Sequence, residues 1–233
     1  MTSYITPPRK VPHITTGDDD FRKKFRSWNL GDLSYVDINE YLAVKDVVLV
    51  PMASTEQHGP HLPLYTDTIT AIEVSARVSE QIGILHTPPI WTGYSPQHMY
   101  GAGQGRGTIT VRAETLNALM YDVARSLIHH GFNRIIFVNG HGSNIKVVDP
   151  VLRKLRYETD ALIGFVKPYM ERYTGILAGL MENPPEETPG WHSSELETSQ
   201  DMAWNENLVR MERAVDTRAH TPEFLPKSFS KND

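Results

Sequence analysis

Short hydrophobic runs alternate along the chain with longer segments in which apolar residues recur at helical spacing. Residues 47–50 and 134–139 form the clearest apolar runs, which are typical of strands buried on both faces of a parallel sheet. Residues 161–166 predict a third strand. Residues 85–91 predict a fourth, which two adjacent prolines weaken. The hydrophobic pattern therefore predicts a sheet of about four short strands.

Four further segments show the spacing of an amphipathic helix. They are residues 67–82, 114–130, 144–157 and 194–205, and the second of them is followed by Gly131, a common helix terminator. Strands followed by helices in this order predict βα units with right-handed crossovers and a mostly parallel sheet. The expected fold class is α/β, as a three-layer α/β/α sandwich.

The length of the chain predicts a single folded domain. The 233 residues are enough for one substantial core and awkwardly many for two, and we assign residues 21–220 to that domain. Residues 1–20 are rich in Pro, Thr and Asp, which predicts an extended N-terminal arm. Residues 221–233 predict a loose C-terminal tail.

Composition and charge exclude several classes of function. The formal net charge is −5 and the basic residues are scattered, so we expect no nucleic-acid partner. The chain has no cysteine, which rules out disulfides, thiolate metal sites and cysteine nucleophiles. No apolar run is long enough to span a bilayer and no signal peptide precedes the domain. We therefore expect a cytoplasmic protein without a membrane partner.

Residues with metal-binding chemistry follow two of the predicted strands. The segment 54–67 contains Glu56, His58, His61 and Asp67 within a frame of Gly and Pro. Glu56 and His58 are two residues apart, so their side chains share a face if the segment is extended. His141 lies between two glycines directly after the strand at 134–139. The carboxyl ends of parallel strands meet at one edge of a sheet, so we expect both segments to meet there.

A third polar segment precedes the last predicted helix and contains His192, Glu195 and Glu197. Carboxylates and imidazoles without thiolates suit Zn²⁺, Mn²⁺ or Fe²⁺ in a hydrolytic role. In such a site one carboxylate can bridge two ions, and Asp67 is the candidate for the bridge.

Each of these residues also has a purely structural interpretation. Glu56 and His58 could form a salt bridge in a polar loop, Asp67 could cap the helix that begins beside it, and His141 could bond to backbone at the strand end. His98 is a candidate for contact with the substrate. The glycines of residues 101–107 resemble a phosphate-binding loop but lack its strand and helix context, so a mobile lid is the better interpretation.

Four motifs, in the same order along the chain, resemble those of the creatininase family of amidohydrolases. They are the sequences at residues 56–63, 66–67, 139–142 and 197–199. The resemblance implies an α/β/α fold with two metal ions at the strand ends, and often a hexamer. It implies two ligand sets that share Asp67, with His192 as the catalytic residue. The first set is Glu56, Asp67 and His141, and the second is His58, Asp67 and Glu197. Apart from the resemblance, we interpret His61 as a residue that orients a ligand, and Glu195 as either a solvated carboxylate or a residue that supports a ligand.

Two departures from the family's pattern weigh against creatinine as the substrate. Ser143 stands where enzymes acting on creatinine carry Glu, and the segment between His98 and residues 107–109 is longer than in the family's pattern. Ser143 and His98 are therefore candidates for substrate contact. We expect a hydrolase with two divalent metal ions that cleaves a C–N bond of a small molecule and assembles as a homo-oligomer. The alternatives are hydrolysis of a C–C bond in a cyclic 1,3-diketone, such as a diketo-inositol, and an inactive metal-binding homologue.

Overall fold

The structure is a computed structural model that describes residues 19–99, 105–168, 179–182 and 192–215. Within them a four-stranded sheet carries helices on both faces, which confirms the α/β/α architecture. In chain order the elements are α1 (Asp19–Lys23), α2 (Tyr35–Leu42), β1 (Val47–Met52), α3 (Thr66–Ile82), β2 (Leu85–His86), α4 (Ala113–His130), β3 (Arg134–Asn139), α5 (Ile145–Glu158), β4 (Leu162–Val166) and α6 (Glu195–Asn205).

The sheet is parallel throughout and has the order β2-β1-β3-β4. The central strand β1 pairs with β3 along its whole length, with Val48 opposite Ile135 and Met52 opposite Asn139. Because both strands end at the same level, the segments that follow them emerge at one edge of the sheet.

Alternate residues of the central strands point into separate layers. Val48 and Val50 of β1 join the larger hydrophobic cluster, which includes Leu116 of α4 and Leu155 of α5. Leu49 joins a smaller cluster with side chains of α3 on the other face of the sheet. Full burial of such a side chain contributes about 1.5–3 kcal/mol, so the two clusters hold the helices against the sheet. No helix among the described residues is long and apolar enough to cross a membrane.

The strand predicted at residues 85–91 is much shorter than expected. Regular pairing is confined to Leu85–His86, and Ile90 then makes an isolated bridge to Met52. Pro88 and Pro89 lie between these contacts, and a proline has no N–H to donate to the sheet. The prediction of a seven-residue strand was therefore wrong in extent.

Helix α2 was not predicted from the apolar pattern. Ser34 caps it by accepting a hydrogen bond from the N–H of Asp37, whose carboxylate accepts one from the N–H of Ser34 in return. Helix α1 begins at Asp19, inside the predicted N-terminal arm. The remainder of that arm and the tail at 221–233 lie outside the described residues.

Candidate metal centre

The predicted edge of the sheet brings together side chains from three separate segments. Glu56 and His58 lie on the loop after β1, Asp67 in the first turn of α3, His141 directly after β3, and Glu197 in the first turn of α6. Gly140 allows the first turn of α3 to lie close to the end of β3, because a Cβ at this position would stand 2.1 Å from the carbonyl oxygen of Asp67. Any side chain there would push α3 away from the end of β3.

Two groups of ligand atoms that share Asp67 form at this edge, beside a third group made of Glu56, His58 and His192. Glu56, Asp67 and His141 present donor atoms within 4.8 Å of one another, and so do His58, Asp67 and Glu197. His141 Nδ1 lies 2.8 Å from Asp67 Oδ2 and 3.3 Å from Glu56 Oε1. On the other side of the shared carboxylate, His58 Nε2 lies 3.2 Å from Asp67 Oδ1 and 3.8 Å from Glu197 Oε2.

Hydrogen bonds on the far side of each ring fix which nitrogen faces the centre. His58 Nδ1 donates to the carbonyl oxygen of Glu56 at 3.0 Å, which turns Nε2 inward. His141 Nε2 lies 3.0 Å from the carbonyl oxygen of Tyr94 and 3.1 Å from Ser95 Oγ, which turns Nδ1 inward. Partners of this kind hold metal-binding histidines in one tautomer and orientation.

The charges of the buried cluster are arranged to hold cations. Burial alone would lower the pKa of His58, yet the carboxylates of Asp67 and Glu197 raise it to about 10. Burial likewise opposes ionisation of Asp67, but the neighbouring imidazolium groups of His58 and His141 hold its pKa well below the usual value. Burial raises the pKa of Glu197 to about 7. Without metal, the cluster therefore holds protons on its imidazoles to balance its carboxylates.

The donor atoms fit divalent metal ions. Glu56 Oε2 is buried without a hydrogen-bond partner, which is costly unless a cation or another donor compensates it. Three carboxylates and two inward-facing imidazole nitrogens make an O and N ligand set that suits Zn²⁺ or Mn²⁺.

Comparisons with known proteins identify the family of this chain. The profile of the creatininase family, described as creatinine amidohydrolase, matches residues 31–232. The chain is 32% identical over 209 residues to creatinine amidohydrolase of Pseudomonas putida, and the alignment covers 84% of this chain and 78% of that one. The chain belongs to the creatininase family. It is a metal-dependent hydrolase of this family.

Solved creatininase structures share the fold. A crystal structure of creatinine amidohydrolase superposes with a TM-score of 0.71 at 30% identity, covering 82% of this chain and 78% of that one. A structure titled "Creatininase Mn" gives a TM-score of 0.72 at 30% identity over 86% of this chain and 80% of that chain.

Other creatininase-family relatives act on other substrates. 3-Dehydro-scyllo-inosose hydrolase of Thermotoga maritima is 31% identical over 82% of this chain, which spans 60% of that protein's length. Mycofactocin precursor peptide peptidase of Mycobacterium ulcerans is 38% identical over 55% of this chain and 53% of its own length. Membership of the creatininase family therefore does not by itself fix the substrate.

His192 lies against two of the candidate ligand residues, Glu56 and His58. Its ring is stacked on that of His98, with centroids 4.4 Å apart, and its Nδ1 is 3.5 Å from Glu56 Oε1. Burial, and secondly the positive charge of His58, lowers the pKa of His192 to about 3, so the ring is neutral. The following residue, Ser193, has a φ of 53° and donates its N–H to Glu197 Oε2 at 2.6 Å. This strained turn ties the position of His192 to that of Glu197.

The remaining candidates from the sequence lie around the ligand groups. His61 Nε2 bonds to Thr198 Oγ1 at 2.9 Å, which braces the first turn of α6 beside Glu197. Glu195 Oε1 accepts a hydrogen bond from the N–H of Glu182. Ser143, in the short 3₁₀ helix after His141, accepts one from Gln97. Residues 100–104 of the glycine-rich loop lie outside the described residues, so the lid interpretation stays a prediction.

Two polar residues of this centre were missed by the sequence reasoning. Ser95 contacts His141 and also Ser54, whose hydroxyl is 2.5 Å away, and both serines are buried. Gln57 lies between two ligands in sequence and bonds to both His98 and His192. The sequence contained a signal for Gln57, which belongs to the first family motif. It contained no signal for Ser95, which lies 46 residues from His141 in the chain.

Proposed function

We propose that this protein is a binuclear metal hydrolase that cleaves a C–N bond of a small polar substrate: an amide, a formamide or a cyclic amide. The observation that supports this most is the pair of buried ligand groups sharing Asp67, with the neutral His192 ring against one of them. In this proposal Glu56, Asp67 and His141 hold one ion, and His58, Asp67 and Glu197 hold the other.

The ions would supply Lewis acidity, which polarises a carbonyl oxygen and lowers the pKa of a coordinated water. The chain itself contributes positioning and proton handling. His192 gives a proton to the leaving nitrogen and regains one from the attacking water, so its ring is neutral before and after the reaction. Its place at the rim of the cluster supports this role. His98, stacked on His192 and partly exposed, is positioned to contact the substrate. Ser143 and Gln97 form a neutral hydrogen-bonded pair on the 3₁₀ helices beside these residues.

A second candidate function is hydrolysis of a C–C bond in a cyclic 1,3-diketone. The relative from Thermotoga maritima, whose name describes an inosose hydrolase, matches over 82% of this chain and supports this alternative. The presence of Ser143 in place of Glu weighs against creatinine itself. The same ligand groups would serve either reaction, because an enolate and an amide oxyanion both place negative charge on an oxygen.

A substrate panel separates the two candidates. The metal-loaded protein is assayed against formamides, cyclic amides, short peptides and diketo-inositols, with Asp67→Asn and His192→Ala as inactive controls. Turnover of an amide class that both substitutions abolish supports the proposal. Turnover of diketo-inositols alone replaces it with the second candidate. A fully active His192→Ala variant would remove the proton-transfer role.

We also propose that the chain assembles as a homo-oligomer, for which the family resemblance implies a hexamer. Light scattering coupled to size-exclusion chromatography measures the mass directly. A mass equal to the 26.4 kDa chain would contradict this part of the proposal.

A further inference from the structure

The side chain of Gln57 joins two histidines beside the metal ligands. Its amide nitrogen, Nε2, lies 2.8 Å from Nδ1 of His98 and 3.2 Å from Nε2 of His192. The backbone N–H of the same residue donates to Thr108 Oγ1 at 3.1 Å. Hydrogen bonds of both the main chain and the side chain therefore hold Gln57 in place, with its side-chain amide in contact with both rings.

A third hydrogen bond decides which end of the amide faces the rings. Gln57 Oε1 accepts the backbone N–H of Gly59 at 3.0 Å. If the amide were turned over, its NH₂ group would oppose this N–H, and two donors would face each other without an acceptor. The NH₂ group therefore faces the histidines.

This orientation determines where the two rings carry their hydrogens. An amide NH₂ group only donates, so the nitrogens it contacts must accept with a lone pair. The hydrogen of neutral His98 is then on Nε2 and that of neutral His192 is on Nδ1. Both of these nitrogens point towards Glu56 Oε1, at 3.8 Å and 3.5 Å. The Gln57 amide thus leaves one N–H group of each ring directed towards Glu56.

We propose that Gln57 is a positioning residue that fixes the tautomers of His98 and His192, so that both present N–H donors to the substrate at the metal centre. The assignment names Nδ1 as the atom through which His192 donates. The use made of these donors rests on the proposed hydrolase function, but the tautomers themselves do not. The two rings are stacked with planes 21° apart, and both donor nitrogens lie within 3.8 Å of Glu56 Oε1. Such an arrangement suits a carbonyl oxygen or leaving nitrogen with developing charge.

Two substitutions separate hydrogen-bond chemistry from packing. Gln57→Glu keeps the size of the side chain and an acceptor for the N–H of Gly59, but presents only acceptors to the rings. It should move the hydrogens to His98 Nδ1 and His192 Nε2. Gln57→Met removes the hydrogen bonds to both rings, together with the acceptor for Gly59, and leaves each ring a mixture of tautomers. Gln81→Met, on an exposed helix position, is the matched control.

The tautomers are read by solid-state ¹⁵N NMR on histidine-labelled, zinc-loaded protein, in which nitrogens with a hydrogen and nitrogens with a lone pair resonate in separate ranges. Signals are assigned by their loss in His98→Asn and His192→Asn. We expect Nδ1–H at His192 and Nε2–H at His98 in the parent protein, reversal in Gln57→Glu, and no change in Gln81→Met. The zinc content should stay within about twofold of the parent in every Gln57 variant.

A hydrogen on His192 Nε2 in the parent protein would overturn the proposal, and so would unchanged tautomers in both Gln57 variants. Where a hydrolysable substrate has been found, kcat of Gln57→Met should fall about 10- to 100-fold with zinc still bound. If no substrate is turned over but the tautomers behave as stated, the proposed function fails and the role of Gln57 stands.

Discussion

Glu195 and Glu197 stand two residues apart in the first turn of α6, and of the two only Glu197 belongs to a ligand group. They therefore offer a matched test of the second metal position. Replacing either glutamate by glutamine removes one negative charge and keeps the size of the side chain. We expect Glu197→Gln to lose the ion held with His58, whereas Glu195→Gln should keep both ions.

The magnitude follows from the burial of Glu197 and its distance to the other ligands. Its carboxylate oxygen is 3.8 Å from His58 Nε2. At about 4 Å, and with an effective dielectric constant of about 20, a unit charge is worth about 4 kcal/mol to a neighbouring unit charge. We take about 4 kcal/mol as the net loss of attraction between the carboxylate and the ion, with the cost of desolvating the carboxylate already subtracted. The affinity for the second ion then falls about 1000-fold. The fold should persist, because the amide oxygen of Gln can still accept the N–H of Ser193.

The assay is a zinc titration in competition with a chelator, followed by elemental analysis after dialysis. Glu197→Gln should retain the ion bound by Glu56, Asp67 and His141 and lose the ion held with His58. If Glu197→Gln binds both ions as tightly as the parent protein does, the assignment of Glu197 as a ligand is refuted. Equal losses in Glu195→Gln and Glu197→Gln would show that charge near α6, and not coordination, controls binding.

Three further predictions concern the apo state, the sheet edge and the core. The neighbouring carboxylates raise the pKa of His58 to about 10, so near pH 8 the metal-free ring is protonated. Zinc binding should release that proton, which calorimetry in buffers of different ionisation enthalpy detects. Gly140→Ala should abolish metal retention in elemental analysis because its Cβ would overlap the carbonyl of Asp67, whereas Gly142→Ala, with nothing within 4 Å, should not. Tyr41→Phe removes a buried hydroxyl that donates to a carbonyl of β1, so urea unfolding should show a loss of about 1–3 kcal/mol; an unchanged midpoint would contradict this.

Hydrophobic periodicity was sufficient to predict most of the architecture. β1, β3 and β4 are continuous apolar runs, and α3 to α6 have helical spacing, so local pattern and tertiary burial agree. Helix α2 has only eight residues, and its clearest sequence signal is the capping pair of Ser34 and Asp37 rather than its apolar face. For strand β2 the apolar run predicted too long an element, because the prolines that interrupt the run cannot donate hydrogen bonds to the sheet.

That the candidate ligands lie close together could be predicted because most of them lie in motifs after strand ends, where the fold gathers polar groups. Asp67 differs in detail from the capping interpretation: α3 begins at Thr66, and Asp67 stands inside the first turn, where its charge complements the helix dipole. Ser95 could not be predicted, since its contact with His141 joins residues 46 positions apart in the chain. The orientation of the Gln57 amide also needed coordinates, because only the contact with Gly59 decides it.

The metal content of the protein tests the central claim most directly. Protein purified without chelator is analysed for Zn, Mn and Fe beside an Asp67→Asn variant whose folding is checked by circular dichroism. We expect close to two divalent ions per chain in the parent protein and neither ion in the variant, because Asp67 belongs to both ligand groups. No bound metal after reloading, or two ions retained without the Asp67 carboxylate, would contradict the binuclear centre.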